Sequence, residues 1–473
     1  MPDTNQNTKR RKGSKHDKTG CLTCRYRRKK CTPNTFPVCG ACKRLNLECV
    51  REPTRQVLAT PRESSVQSQP HGIWRDWLPS IPGSHDQVSR RRQAINFYIT
   101  VLSRLLSVSD QHNSFVSAFI PMAVDSAPLA HAIVAWSSGH LSTLDRSYSI
   151  TALEARSASL RALSAVISSH DASCHETNAA TSLILLTSEV CLGDYTKWYN
   201  HLNGVKNMIM SCQSKTRGSI LHGPEILKQS PEGQWILRNF AYHDIIGSIT
   251  LGKPPLLDPK YLKGITDVVD TYVGVAMPIL TIISEISSMK SLNLVRDYTS
   301  QRAIQDLEGS RSFWEVEEGL KKWTCCTVSS PELQELAYAY RDAALIFLYR
   351  RTYRALVMEP TVGTTRERHY TILNSAILGK VISVLGHIIN IPMNAGAESA
   401  LLFPIFLAGA EATEGEHINV VRSRLRLLAD KRPFHNILRA WEVLEDVWDA
   451  RQSNANVDWQ AIIDRRGGGL LLT

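Results

Sequence analysis

The chain of 473 residues is 43% hydrophobic and 21% charged, ordinary for a globular protein. Its length calls for more than one domain, because single cores seldom grow past about 250 to 300 residues. The net charge of +11 lies wholly in residues 1–55, where fifteen Lys or Arg face four Asp or Glu, while the remainder holds 40 of each sign; no run approaches the roughly 18 apolar residues of a membrane span, and the charged start lacks the apolar stretch of a secretory signal, so a soluble protein with reduced cysteines and no membrane partner is expected.

Residues 1–18 form a basic arm, expected to be disordered. Lys9, Arg10, Arg11 and Lys12, followed by Lys15 and Lys18, resemble a nuclear import signal, which implies the nucleus. The other reading, an arm that adds phosphate contacts, is compatible with it.

Six cysteines follow: Cys21, Cys24, Cys31, Cys39, Cys42 and Cys49, in the order C-x2-C-x6-C-x7-C-x2-C-x6-C. One spacing occurs twice. In a reducing compartment this favours metal, since a redox pair does not predict a second copy. Zinc in a structural site takes four ligands, so one ion would strand two cysteines and two separate ions would need eight. Six serve two ions only if two sulfurs bridge. Two zinc ions on six thiolates leave the segment at about +9, still suited to nucleic acid.

The stretch Thr19 to Cys31 resembles the first half of the DNA-binding domain of fungal binuclear zinc cluster transcription factors. Pro37-Val38-Cys39-Gly40-Ala41-Cys42 is similar to the start of the second half. The resemblance implies a module over residues 19–52 holding two zinc ions, with Cys21 and Cys39 as the bridging ligands. Thr32 stands where the family usually carries Asp, which implies a local effect on the turn rather than loss of zinc. Pro37 matches the family's loop proline.

The first six-residue gap, Arg25-Tyr26-Arg27-Arg28-Lys29-Lys30, is five-sixths basic; its counterpart, Lys43 to Glu48, is not. So short a helix is unstable alone in water and must be held by the metal. Arg25, Arg27, Arg28, Lys29 and Lys30 are the candidate contacts to double-stranded DNA. An arginine fork can pair both acceptors of a guanine edge. By the resemblance Arg27 and Arg28 contact bases of a CGG-type triplet, and Arg25 and Lys30 contact phosphates. The competing reading is that all five only neutralise the backbone.

Residues 53–87, with Pro53, Pro61, Pro70, Pro79 and Pro82 and no apolar periodicity, read as a flexible linker. A family-type coiled coil is not evident. Ile95, Tyr98, Leu102 and Leu105 supply two heptads where three or four are wanted, and a first core helix of the body is the simpler reading. Monomer or homodimer stays open.

Residues 88–473 show helical periodicity and little strand-like alternation, so the fold is expected to be mostly α: a small two-zinc module plus a large all-α domain. Helices are predicted near 90–107, 128–142, 149–168, 176–192, 194–211, 232–250, 276–290, 301–323, 331–354, 368–389, 399–410, 416–429 and 435–451. The sequence Asp125-Ser126-Ala127-Pro128 reads as a capped start. Phe115 to Leu141, Gly193 to Gly204 and Phe403 to Ala412 resemble the regulatory fungal-specific transcription factor domain, which implies binding of an effector or a partner protein.

GxSxG, HExxH, Walker and GxGxxG motifs are all absent from the sequence, so no enzyme is expected. His131 and His201 read as core or surface histidines. Cys174, Cys191, Cys212, Cys325 and Cys326 read as buried free thiols. Trp441, Leu444, Val447 and Trp448, interleaved with Glu442, Glu445, Asp446 and Asp449, read as an amphipathic helix rather than an acidic activation segment. The function expected is a zinc-dependent, sequence-specific regulator of RNA polymerase II genes, whose partners are DNA and the transcription machinery or co-regulators. An effector-sensing helical regulator and a nuclear scaffold whose zinc module binds protein are the alternatives.

Overall fold

Polar caps and prolines set where the helices of this chain begin. A computed structural model describes residues 24, 31, 38–44, 49, 85–168, 176–193, 197–216, 219–290, 311–325, 330–358, 364–453 and 457–473. The chain divides into two compact units, Met1–His71 and Gly72–Thr473. Among its described residues the first holds the short helix α1 (Gly40–Arg44), and Cys24 is also helical. The residues of the predicted linker and of the basic arm lie outside the described ones, except for the helical residues from 85 onward.

The second unit is helical, as expected. Its longer helices are α2 (His85–Phe97), α3 (Ala127–Ser142), α4 (Ser149–Ser168), α5 (Glu176–Leu192), α6 (Trp198–Ser211), α7 (Pro231–Leu251), α8 (Met277–Ser288), α9 (Phe313–Lys322), α10 (Pro331–Met358), α11 (Thr364–Asn390), α12 (Leu402–Glu411), α13 (Gly415–Lys431), α14 (His435–Ser453) and α15 (Trp459–Arg465). Ser126 caps α3 with Pro128 in the first turn, and Ser230 accepts the Gly233 N–H at 2.9 Å to start α7. Ser312 and Glu315 close a reciprocal capping box on α9. Residues 301–310 of the helix predicted there lie outside the described residues.

Helix α7 is the centre of the core. Every residue from Trp235 to Thr250 is buried, which fits a helix surrounded by others rather than an amphipathic surface helix. Arg238 donates to Asp270 at 3.0 Å, and Asp244 accepts the backbone N–H groups of Leu256 and Leu257, whereas the buried Asn239 amide has no hydrogen-bond partner. Around it α3 packs on α4 and α5, α5 on α6, and α10 on α11 and α12. All of α12 is buried, so the family-like segment Phe403 to Ala412 is core.

Helix α2 runs through a π turn (Tyr98–Leu102) into Ser103–Leu106, and Ile95, Tyr98 and Leu102 are buried in the body. The two candidate heptads are therefore core of this unit. Part of α11, Glu367–Asn390, matches a membrane span in length and hydropathy. Yet its Lys380, Ser383 and His387 reach Asp342 of α10, and Leu373, Ile377, Val381, Val384 and Ile388 are buried within the protein.

Sequence patterning missed three features. A short antiparallel hairpin, β1 (Gln213–Thr216) and β2 (Ser219–His222), pairs Gln213 with His222 after α6. Short helices at Ser114–Ser117, Phe119–Val124 and Pro224–Leu227 fill connections. Finally, Gly467, Gly468 and Gly469 take φ of 90°, 68° and 75°, where side chains are disfavoured, and turn Leu470, Leu471 and Leu472 into the core. That tail is pinned by Trp198 Nε1 donating to the Gly469 carbonyl at 2.8 Å and Thr250 Oγ1 to that of Leu470 at 2.6 Å. Two cysteine expectations need correction: Cys212 is disulfide-bonded rather than a thiol, and Cys325, although outside any disulfide, is half-buried; Cys191 is a buried thiol as expected. Cys174 and Cys326 lie outside the described residues.

Candidate metal centre

The spacing of Cys39 and Cys42 places them at the start of α1, where the Cys42 N–H points back at the Cys39 sulfur at 3.4 Å. Cys24, Cys39 and Cys42 are fully buried, and Cys31 and Cys49 are half-buried. Among the described residues of this unit the buried cluster consists of these cysteines with Ala41, and a bound cation would supply the cohesion that so small a cluster lacks.

The sulfurs form two groups, Cys24 with Cys31 and Cys39, and Cys39 with Cys42 and Cys49, each within 4.8 Å. Cys39 is common to both. The Cys24 and Cys39 sulfurs are 3.7 Å apart and those of Cys24 and Cys42 3.9 Å. A tetrahedral zinc with bonds of about 2.3 Å sets neighbouring sulfurs about 3.8 Å apart, so the donor type and spacing fit this ion. The sulfurs of Cys24, Cys31, Cys39, Cys42 and Cys49 are not taken up in disulfides.

Electrostatics favour the ligand form at the shared position. The backbone N–H of Cys42 stabilises a negative sulfur on Cys39 and, against burial, lowers its pKa to about 5. A thiolate is then present at neutral pH, and the thiolate is what binds metal. The Cys49 sulfur accepts the Cys39 N–H at 3.2 Å, which ties the end of the second half to its beginning. Lys43 and Arg44 stand exposed in the last turn of α1.

Cys21 lies outside the described residues, as do Arg25, Arg27, Arg28, Lys29 and Lys30 and the arm residues Lys9, Arg10, Arg11 and Lys12. In the body, His131 is half-buried on α3, and burial lowers its pKa. His201 meets a buried carboxylate, Glu189, at 3.1 Å. Three of the four acidic residues of α14 are engaged: Glu445 takes both arms of Arg422, and Glu442 and Asp446 hold Arg466. With Leu444 and Val447 buried beneath them, they form the amphipathic helix of the sequence reading.

Residues 93–473 match the family model of the fungal specific transcription factor domain. Residues 19–57 match that of the fungal Zn(2)-Cys(6) binuclear cluster domain. The chain is 25% identical over 345 residues to the transcriptional activator protein UGA3 of Saccharomyces cerevisiae, covering 58% of this chain and 65% of that one. It is 23% identical over 311 residues to an uncharacterized transcriptional regulatory protein of Schizosaccharomyces pombe, covering 61% and 53%. A stretch of 89 residues is 32% identical to sterol uptake control protein 2 of Candida albicans, 18% of this chain and 12% of that protein. The chain thus spans less than two thirds of the length of these curated relatives. No solved structure matches.

Proposed function

Because this chain belongs to the fungal specific transcription factor family and carries a Zn(2)-Cys(6) cluster domain, we propose that it is a zinc-dependent, sequence-specific DNA-binding regulator of RNA polymerase II genes. The observation that carries the reading is the Cys39 sulfur, which belongs to both cysteine groups. With Cys21 as the second bridge, six thiolates would complete two tetrahedral zinc sites. Zinc supplies the cross-link that holds the short basic segment folded.

In this reading Arg27 and Arg28 pair guanines of a CGG-type triplet in the major groove, while Arg25, Lys29 and Lys30 neutralise phosphates. Lys9 to Lys12 direct the chain to the nucleus. The domains are the arm at 1–18, the cluster at 19–52, the linker at 53–87 and a regulatory helical body at 88–473, which senses an effector and addresses the transcription machinery. Similarity to a transcriptional activator favours activation. If two copies pair on DNA as a homodimer, they do so without Ile95, Tyr98 and Leu102, which the body core uses.

The test is fluorescence anisotropy of the zinc-loaded chain on duplexes with and without a CGG triplet at several salt concentrations. A preference of about tenfold or more for the triplet is expected, with affinity for both duplexes falling steeply as salt rises. Equal affinity for the two duplexes overturns sequence-specific reading of this triplet. Absent or salt-independent duplex binding favours the scaffold alternative.

A further inference from the structure

Helices α3, α4 and α5 line a half-open pocket of about 370 Å³. That is the size of a small-molecule site, for which about 300 to 1,000 Å³ is usual. Ala135, Gly139, Ala152 and Leu153 make much of its wall, and Arg156 and Glu189 bring the charge. Gly139 lets α3 approach closely, since a Cβ there would stand 2.5 Å from Leu192 Cδ1. At the rim the wall runs onto exposed apolar surface: Leu153 and Ile150, one turn apart on α4, are each 67% exposed.

Glu189 is 4% exposed, and its two oxygens are treated unequally. Oε1 accepts from Arg156 Nη2 at 2.5 Å and meets His201 Nε2 at 3.1 Å. Oε2 is buried and has no hydrogen-bond partner. A buried carboxylate oxygen without a donor is costly, and native proteins retain few such groups without a reason. Here the unpaired acceptor belongs to a residue that lines a cavity otherwise mostly apolar.

We propose that this cavity binds a small organic effector with an apolar body and one hydrogen-bond donor, an amine or a hydroxyl, which donates to Glu189 Oε2. The apolar body occupies the space between Ala135, Gly139, Ala152 and Leu153. Arg156 and His201 hold the carboxylate in place from its other side. The inference deepens the reading of the helical body as the effector-sensing part and rests on it.

Three probes with the same cyclohexyl body test it on the full zinc-loaded chain: cyclohexylmethylamine, cyclohexylmethanol and cyclohexanecarboxylate, titrated by ligand-observed NMR. The amine and the alcohol are expected to bind at least tenfold more tightly than the carboxylate, which offers no donor. Ala152→Leu fills the cavity and is expected to weaken the amine and the alcohol at least tenfold. Glu189→Gln is expected to remove the advantage of the amine over the carboxylate. Circular dichroism melts report whether each variant is folded, and Ala152→Leu, at a half-buried position, leaves the test decisive if Glu189→Gln unfolds. Equal binding of all three probes, binding unchanged by Ala152→Leu, or no binding of any probe overturns the proposal. Duplex binding on the same samples separates the two readings: a chain that binds DNA but none of the probes loses the effector site and keeps its DNA function.

Discussion

At the residue scale, Cys39 differs from the other described cysteines because its sulfur belongs to both groups. Loss of a shared ligand breaks two tetrahedra, and loss of a terminal ligand breaks one. Cys39→Ser is therefore expected to lower zinc content further than Cys49→Ser, by about one ion per chain, read by plasma mass spectrometry on the purified variants. The cations of the first gap divide differently. Arg28→Ala is expected to cost about 1 to 3 kcal/mol on the preferred duplex and to relax base preference. Lys30→Ala should weaken all duplexes alike and reduce the salt slope by about one. A binding-site selection on both variants checks this, and an unchanged base preference for Arg28→Ala removes that residue from base reading.

At the scale of elements, α10 and α11 are joined by a buried carboxylate. Asp342 is fully buried on α10 and accepts from Arg341, Lys380 and Ser383, with His387 Nε2 at 3.6 Å. Burial alone would push His387 down, but its pairing with the Asp342 carboxylate and its hydrogen bond with Glu335 outweigh that and leave its pKa raised. A raised folded-state pKa means that the charged imidazole stabilises the fold fully below about pH 6.5, its unfolded value, and that this contribution fades as pH rises through the folded value. His387→Gln is thus expected to lower the urea midpoint more at pH 6 than at pH 8.5. Equal losses at both pH values would show that the imidazole contributes by packing rather than by charge. Helix α14 shows how an element can mislead when read alone. Its carboxylates look free in the linear sequence, yet Arg422 from α13 and Arg466 beyond α15 pair with them.

At the scale of the whole molecule, the metal-fitting cysteine groups lie in the first unit, and among the described residues none was found in the second. Chelation of zinc is expected to abolish duplex binding while leaving most of the helical circular dichroism signal and the main melting transition, because the body is held by its own apolar core. Collapse of both on chelation would show that the helical body also depends on the metal. Much of this organisation was legible in the linear chain. Cysteine spacing, local charge and a 3.6-residue apolar period act over a few residues, so the candidate metal ligands and the bounds of α3, α4 and α5 can be read from it. The end of the chain could not be read that way. Three glycines followed by three leucines look like a loose terminus, yet Trp198 and Thr250, over 200 residues away, help to hold them in the core. The Glu189 cavity is of the same kind: Arg156, Glu189 and His201 sit on three helices, and no local pattern marks their meeting. Sequence by itself determined the cysteine spacing of the cluster domain, the basic segment within it and the helical character of the body, because each rests on short-range spacing. Only the tertiary structure decided which charges are paired, where the tail lies and where a cavity remains, because those depend on contacts between residues distant in the chain.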